Sequence, residues 1–445
     1  TVIESYSHHL GYEQTPTILE DENDRIALLE EAFLENAELR RHLEKHDTPA
    51  KRRKFLYRVY GKISGWKRKL KDYEALTNGT WKNPIESLLF REYNERLQLQ
   101  NSIDFDDVLL IAYRIFTERP KVAQIFRRTY RYVCVDEAQD LNGIQYAIIR
   151  ILAEGSEGLL MVGDPNQAIY GFNGSSKDYM LKHFPKDFDA TQFELRKNYR
   201  FSRAVIEAAN SLYPDSINSG DAALPGILEI VPCENESTEA AWVYGKIREL
   251  LEMRNHEEID GPITLDRIAV LARNRYVFSP LIETLEKTGT DFHLRRPAGG
   301  TSLESEFGKV FDIGLRLLIN PRDRIHQGQL ETIVGADTAS RRNNENFREI
   351  VQRLRETAAD TWKDKLEILE QVWTRLDDDV SAFSSVFDEL SKFFLQIKTI
   401  GEAEETALAL EDIEFLHQVW QNYTRQTARD NRSLTHFRNL MAMGT

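Results

Sequence analysis

Two short apolar runs, each breaking into an acidic polar turn, constrain this chain more than any other feature. Tyr132–Val135 leads into Asp-Glu-Ala-Gln-Asp at 136–140, and Leu159–Val162 leads into Gly-Asp-Pro-Asn-Gln at 163–167. Between them, residues 142–153 have the apolar spacing of a helix. Strand, helix, strand, with polar side chains at both strand ends, is the pattern of a parallel sheet, because a crossover connection returns the second strand in the same direction. Ligands of such sheets bind beyond the carboxyl ends of the strands. The predicted fold class is therefore α/β.

Long helical stretches surround this unit. Residues 22–46 are predicted to be a helix with Asp24 as its N-cap, and residues 51–76, 84–100 and 106–118 also have helical periodicity. The block 22–101 reads as a helical insertion into the α/β part. A second α/β stretch is predicted over about 191–297, with strands at Phe193–Leu195, Leu228–Val231 and Ile268–Ala272 and helices at 202–212, 237–254 and 279–288. From about 303 onward the chain reads as nearly all helix, with Trp362, Trp373 and Trp420 as packing anchors. At 445 residues the chain exceeds one ordinary core and suits two to four domains.

Charge narrows the partners. The net charge is 58 − 72 = −14, which argues against indiscriminate binding of nucleic acid. Residues 51–82, however, carry eleven Lys and Arg against two Asp and Glu, a local footprint that the global balance hides. Lys51, Arg52, Arg53, Lys67, Arg68 and Lys69 are the candidates to contact a phosphate backbone, the other reading being a solvated helix face. No apolar run approaches the ~20 residues of a membrane span, and the opening TVIESYSHHLGYEQTP has no basic region followed by an apolar one. With two cysteines there is no disulfide framework; Cys134, inside an apolar run, is expected to be a buried small hydrophobe. A cytoplasmic protein, nucleoid-associated if bacterial, is expected. His8 and His9 lack a suitably spaced third ligand.

The strand ends carry the chemistry. Hydrolysis of a nucleoside triphosphate needs one carboxylate to hold Mg²⁺ and another to orient or deprotonate the attacking water. Asp136 and Glu137 can divide those roles, although a bare Asp-Glu pair is more often a solvated loop. After the second strand come an amide, Gln167, able to sense a γ-phosphate, and two aromatics, Tyr170 and Phe172, with glycines flanking Phe172–Asn173. Exposed rings stack on unpaired bases, worth ~1–3 kcal/mol each; core packing is the other reading of Phe172. A third segment, LRKNYRFS at 195–202, offers Tyr199 to stack on a base and Arg200 to fork onto phosphate oxygens, or to make a surface ion pair.

These three segments, in this order and spacing, resemble superfamily 1 DNA helicases of the UvrD/Rep/PcrA type. SIDFDDVLLIA (102–112), the 268–294 strand–helix segment, LESEFGKVFDIGLRLLINPRD (303–323) and the opening TVIESYSHHL are similar to other family segments. The resemblance implies RecA-like motor domains with large helical insertions. Residues 1–21 and 102–195 would be part of the first motor domain (1A), 22–101 the 1B insertion, 196–300 part of the second motor domain (2A), and 301–445 an incomplete accessory domain (2B). It implies ATP and Mg²⁺ as cofactors, with Asp136 on the metal, Glu137 as catalytic base, Gln167 and Arg200 at the γ-phosphate, and Tyr199 near the adenine. Tyr170, Phe172 and Asn173 would face DNA, alongside the basic residues of 1B. Single-stranded DNA and single-strand/duplex junctions would be the partners, with repair or recombination proteins beside them, and translocation would run 3′ to 5′.

The sequence also departs from that pattern. Gly171 and Asn173 stand where common relatives carry arginines. No G-x-x-x-x-G-K-[ST] occurs: the Gly-Lys pairs at 61–62, 245–246 and 308–309 are each followed by an aliphatic residue. In the family that loop lies upstream of the segment that opens this chain, and further motifs follow 2B. An internal section of a helicase with little ATPase of its own is therefore expected. A non-catalytic DNA-binding or scaffold module derived from a helicase is the rival, and a nuclease-fused recombination enzyme a third possibility.

Overall fold

The computed structural model describes residues 2–214, 218–219, 224–256, 261–294, 303–337, 345–396 and 403–443. Residues 1–190 and 298–445 form one compact unit and 191–297 another. The first is largely helical, and the described strands form three two-stranded parallel sheets.

The first unit opens with a short helix, α1 (Val2–Tyr6), and the edge strand β1 (Thr17–Ile18). The expected 22–46 helix is two, α2 (Glu22–Glu35) and α3 (Ala37–Leu43), because Asn36 leaves the helical region and its side chain caps the second. Asp21 caps α2 in place of the predicted Asp24: its carboxylate accepts from the Asn23 N–H at 2.8 Å. Asp24 is drawn instead into a buried charge cluster described below. The basic stretch likewise divides, into α4 (Pro49–Arg68) and α5 (Leu70–Thr77), with the break at Lys69. With α6 (Pro84–Leu99) these helices close over Leu29, Phe33, Leu56, Ile63, Trp66 and Tyr93.

Strand β2 (Ser102–Ile103) then pairs with β1, and the chain enters α7 (Phe105–Glu118) through a reciprocal capping box of Asp104 and Asp107. Helix α8 (Pro120–Thr129) leads to β3 (Tyr132–Val135), α9 (Gly143–Ala153) and β4 (Gly158–Met161). These are the predicted strand, helix and strand. β3 and β4 are parallel, with Val135 opposite Met161. Tyr146 and Ile149 of α9 pack with Val135 and Met161 on one face. Burial alternates along β3, and Cys134 falls on the opposite face with Tyr132; it is exposed, not buried as expected. A five-residue helix, α10 (Phe184–Phe188), ends this stretch.

In the second unit, β5 (Lys197–Asn198) pairs with β6 (Asn218–Ser219), and the helices are α11 (Arg203–Leu212), α12 (Glu236–Met253) and α13 (Ser279–Thr288). The three helices fall where the periodicity puts them. The three strands predicted here do not form among the described residues: 193–195, 228–231 and 268–272 have no ladder pairing. An apolar run proposes a strand, but only a non-local partner makes one.

Residues 303–443 rejoin the first unit as α14 (Glu306–Ile319), α15 (Arg324–Val334), α16 (Phe347–Thr357), α17 (Lys363–Asp378), α18 (Phe383–Gln396), α19 (Ala403–Gln426) and α20 (Leu434–Ala442). Trp362, Trp373 and Trp420 are all buried, as anticipated. The Trp373 indole donates to the Phe311 carbonyl at 3.2 Å. Its ring lies so close to Gly314 that a Cβ there would overlap it, so this crossing requires glycine. The expected 300/301 domain border lies outside the described residues.

Charges join the two ends of this unit. Arg438 of α20 donates to Glu20 at 2.6 Å and to Asp312 at 2.9 Å. Arg316 reaches the same two carboxylates. His326 lies beside them, between Asp323 (2.7 Å) and Asp24 (3.1 Å), with Arg316 at 2.8 Å. Burial and Arg316 oppose the charge on His326, but the two carboxylates outweigh them and hold its pKa above 6.5. Protonated His326 therefore contributes stability that is complete below pH ~6.5 and fades as pH rises through the raised value. We expect His326→Gln to flatten that part of the pH dependence, measured as guanidinium midpoints between about pH 6 and about pH 8.

Candidate nucleotide and nucleic-acid site

The parallel register places the two acidic turns side by side. Val162 N–H donates to the Val135 carbonyl (2.8 Å), and Ala138 N–H donates back to the Val162 carbonyl (2.9 Å). Asp136 and Glu137 thus leave the end of β3 directly beside Gly163 and Asp164, which follow β4. Glu137 has φ 51° and ψ 38°, the left-handed region that non-glycine residues seldom occupy. The Asp136 carboxylate accepts from the Glu137 N–H at 2.9 Å. Both acids are exposed.

A buried amide bridges the turns. Gln139 is 1% exposed. Its Nε2 donates to Glu137 Oε2 at 2.6 Å, and its Oε1 accepts from the Asp164 N–H at 3.0 Å. Asp164 in turn accepts from the Asn166 N–H (2.9 Å) and from Gln167 Nε2 (2.8 Å). Glu137, Gln139, Asp164 and Gln167 therefore form one hydrogen-bonded series. A Cβ on Gly163 would meet Gln139 Oε1 at 2.4 Å, so glycine is required for this approach. Sequence reasoning chose the outer members of the series and missed Asp164, whose place directly after that glycine was the available signal.

Beyond Gln167 the chain makes a single 3-10 turn, Gly171–Asn173. Phe172 is 81% exposed, which decides against the core reading, and the Tyr170 ring lies 6.1 Å from it. Asn173 does not face solvent freely: its Oδ1 accepts from Arg68 Nη1 at 2.8 Å. Arg68 also donates from Nε to Asp106 at 2.6 Å. Gly174 sits against the Arg68 side chain, with the start of the Lys69 side chain nearby. The α4–α5 break therefore borders the loop that presents Phe172.

The basic block sorts into committed and available charges. Lys51 pairs with Asp47, Arg52 donates to the His46 carbonyl, and Arg53 donates to Asn23. Lys69 is exposed beside the aromatic loop. Lys67 corrects the expectation: its side chain is wholly buried, 2.8 Å from Asp104 and 2.6 Å from Asp107. Burial opposes its charge, but the two carboxylates raise its pKa above the ordinary lysine value. Burial and the neighbouring Asp104 push Asp107 up to about 7, against the pull of Lys67. Lys67 thus fastens α4 to the cap of α7 and has no surface to offer a phosphate.

Tyr199 and Arg200 belong to the 191–297 unit. Tyr199 is exposed with Lys197 Nζ 5.7 Å from its ring centre, and the Arg200 N–H donates to Asn198 Oδ1 at 2.8 Å. Among the described residues no group of three or more His, Cys, Asp or Glu forms a metal cage. The exposed oxygens of Asp136 and Glu137 nevertheless suit Mg²⁺, which keeps several waters and takes one or two carboxylates together with phosphate oxygens.

Residues 1–189 match the family model for the UvrD/REP helicase N-terminal domain. Over these residues the chain is similar to UvrD-type helicases. It is 31% identical over 278 residues to the ATP-dependent DNA helicase PcrA of Bacillus subtilis, covering 60% of this chain and 36% of that one. It is 30% identical over 261 residues to a probable DNA helicase II homolog of Mycoplasma capricolum (56% and 34%). With the ATP-dependent DNA helicase UvrD1 of Mycobacterium leprae it shares 31% over 254 residues (53% and 31%). The chain spans about a third of the length of these curated relatives. No described helix is long and apolar enough to cross a membrane.

The burial of Lys67 is testable. We expect Lys67→Met to cost about 3–5 kcal/mol of unfolding free energy, because it leaves buried carboxylates uncompensated. The salt slope of single-stranded DNA binding should stay unchanged, as read by fluorescence anisotropy.

Proposed function

We propose that this chain is part of a helicase that couples ATP hydrolysis to movement along single-stranded DNA and to unwinding at single-strand/duplex junctions. The observation that carries this reading is the juxtaposition of Asp136 and Glu137 with the Gly163–Gln167 turn across two parallel strand ends, inside the segment that matches the helicase family. The names of the relatives support it. In this reading 1–21 and 102–195 are part of a RecA-like domain 1A, 22–101 is 1B, 196–300 is part of 2A and 301–445 part of 2B.

Bound Mg·ATP supplies the electrophilic phosphorus and a leaving group whose charge the metal neutralises. Asp136 would hold the metal. Glu137 would orient the attacking water and take its proton. Gln167 would face the γ-phosphate; for Arg200 and Tyr199, which lie in the 191–297 unit, the family resemblance implies a phosphate and a base as their partners. Tyr170 and Phe172 would take unpaired DNA bases on their rings, and the exposed Lys69 beside them would face the phosphates. Asn173 acts on this surface through Arg68, as the tie between the aromatic loop and the basic helix. Action in the cytoplasm, on DNA under repair or recombination, completes the proposal.

The 445 residues contain no G-x-x-x-x-G-K-[ST] to hold the triphosphate. We therefore expect little ATPase from the isolated chain, measured as phosphate release with and without single-stranded DNA. Robust turnover that Glu137→Gln abolishes would overturn that expectation. The same observation favours a second reading, a non-catalytic DNA-binding module, which predicts salt-dependent binding that nucleotide does not alter in any longer form of the protein.

The DNA surface is tested on the chain itself by anisotropy with a labelled oligothymidine. Phe172→Ala should weaken binding by about 1–3 kcal/mol. Lys69→Ala should reduce the salt slope by about one phosphate contact, with little dependence on base composition.

A further inference from the structure

We propose that Gln139 is the positioning residue of this site: it ties the Glu137 carboxylate to the backbone of the 163–167 turn, so that base and phosphate sensor move as one body. The proposal rests on the reading of Glu137 as base and Gln167 as sensor.

The amide has one available orientation. The Asp164 backbone N–H can only donate, so the group facing it at 3.0 Å is Gln139 Oε1. Nε2 is then left for Glu137 Oε2 at 2.6 Å. A flipped amide would set N–H against N–H and carbonyl against carboxylate, losing both bonds. The side chain is almost wholly buried, so water does not replace either partner cheaply. Its backbone is held as well, in the Ala138–Asp140 turn between β3 and α9, where Ala138 is fully buried and bonded to the Val162 carbonyl.

Each neighbour needs this anchor. Glu137 sits in a left-handed backbone conformation on an exposed turn, which aims its side chain without immobilising it. The Gln139 amide is the side-chain partner that fixes its carboxylate. On the other side, Asp164 carries both the amide contact through its N–H and the Gln167 contact through Oδ2. A shift of Gln167 toward or away from phosphate is therefore transmitted through Asp164 and Gln139 to Glu137. Gly163 leaves room for this path and for nothing larger.

Two substitutions separate the two ends of the bridge. Gln139→Met keeps the length of the side chain and loses both bonds. Gln139→Glu keeps an acceptor for Asp164 but places a second carboxylate against Glu137. In hydrogen-exchange mass spectrometry on the 445-residue chain, we expect Met to speed exchange in peptides covering 160–168 by about tenfold, and Glu to leave it near the parent rate. In any form of the protein that turns over ATP, both variants should lower kcat about tenfold with KM for ATP within about twofold of the parent. A purely structural role would tie the loss of kcat to the loss of loop protection, and Gln139→Glu breaks that tie. Unchanged exchange in the Met variant overturns the bridge. Parental kcat in both variants, with Glu137→Gln inactive, overturns the positioning role alone. Normal turnover in Glu137→Gln overturns the reading of Glu137 as base and the catalytic half of this proposal with it, while the exchange result still decides whether the bridge exists.

Discussion

The buried ion cluster that joins Glu20 to Asp312, Arg316 and Arg438 holds the larger unit together. It brings residues some 400 positions apart within hydrogen-bond distance, and it does so out of water. Such a cluster is expensive to assemble and more expensive to leave incomplete, since any single member removed strands an opposite charge in a low-dielectric interior. Polar ties around it complete the seam. Asn439 accepts from the Ile18 N–H and donates to the Pro16 carbonyl, and Asn320 donates to the Gln100 carbonyl. The consequence is a scaffold in which the C-terminal helices brace the strands and helices that lead to the acidic turns.

A second buried charge, Lys67, sets what the basic helix can do. Eleven positive residues in 51–82 look like one electropositive surface in the sequence. In the fold they serve different ends. Lys67 is a structural tie to the α7 cap, Arg68 links Asp106 to the aromatic loop, and others satisfy neighbouring carbonyls and carboxylates. The charge left for a nucleic acid is narrower, and part of it lies at the α4–α5 break beside Phe172. In the proposed reading, electrostatic attraction and base stacking thereby share one small region.

Legibility in the sequence follows distance along the chain. β3, α9 and β4 fall where they were predicted because apolar runs, the Asn142–Gln145 capping box and the glycine turns act within a few residues. The helices of the second unit follow for the same reason. Asp24 was misassigned as a cap because the choice between it and Asp21 depends on His326 and Gln329, some 300 residues away. The strands expected at 193–195, 228–231 and 268–272 failed because a strand is a pairing and not a local property. Cys134 was placed inside because period two along β3 shows which residues share a face, not which face is covered.

From its residues alone, this chain declares two strand–turn units with carboxylates at their ends, an aromatic loop after them, helical blocks on either side and a resemblance to a helicase family. These are short-range patterns, and the chemistry of each side chain is enough to read them. Tertiary structure decides which of those side chains remain free to act. It turns Lys67 inward, commits Arg68 and Asn173 to each other, and sets Gln139 between Glu137 and Asp164. Each outcome depends on burial and on partners brought in by folding, and a charge or an amide has no fixed role until its neighbours and its access to water are settled.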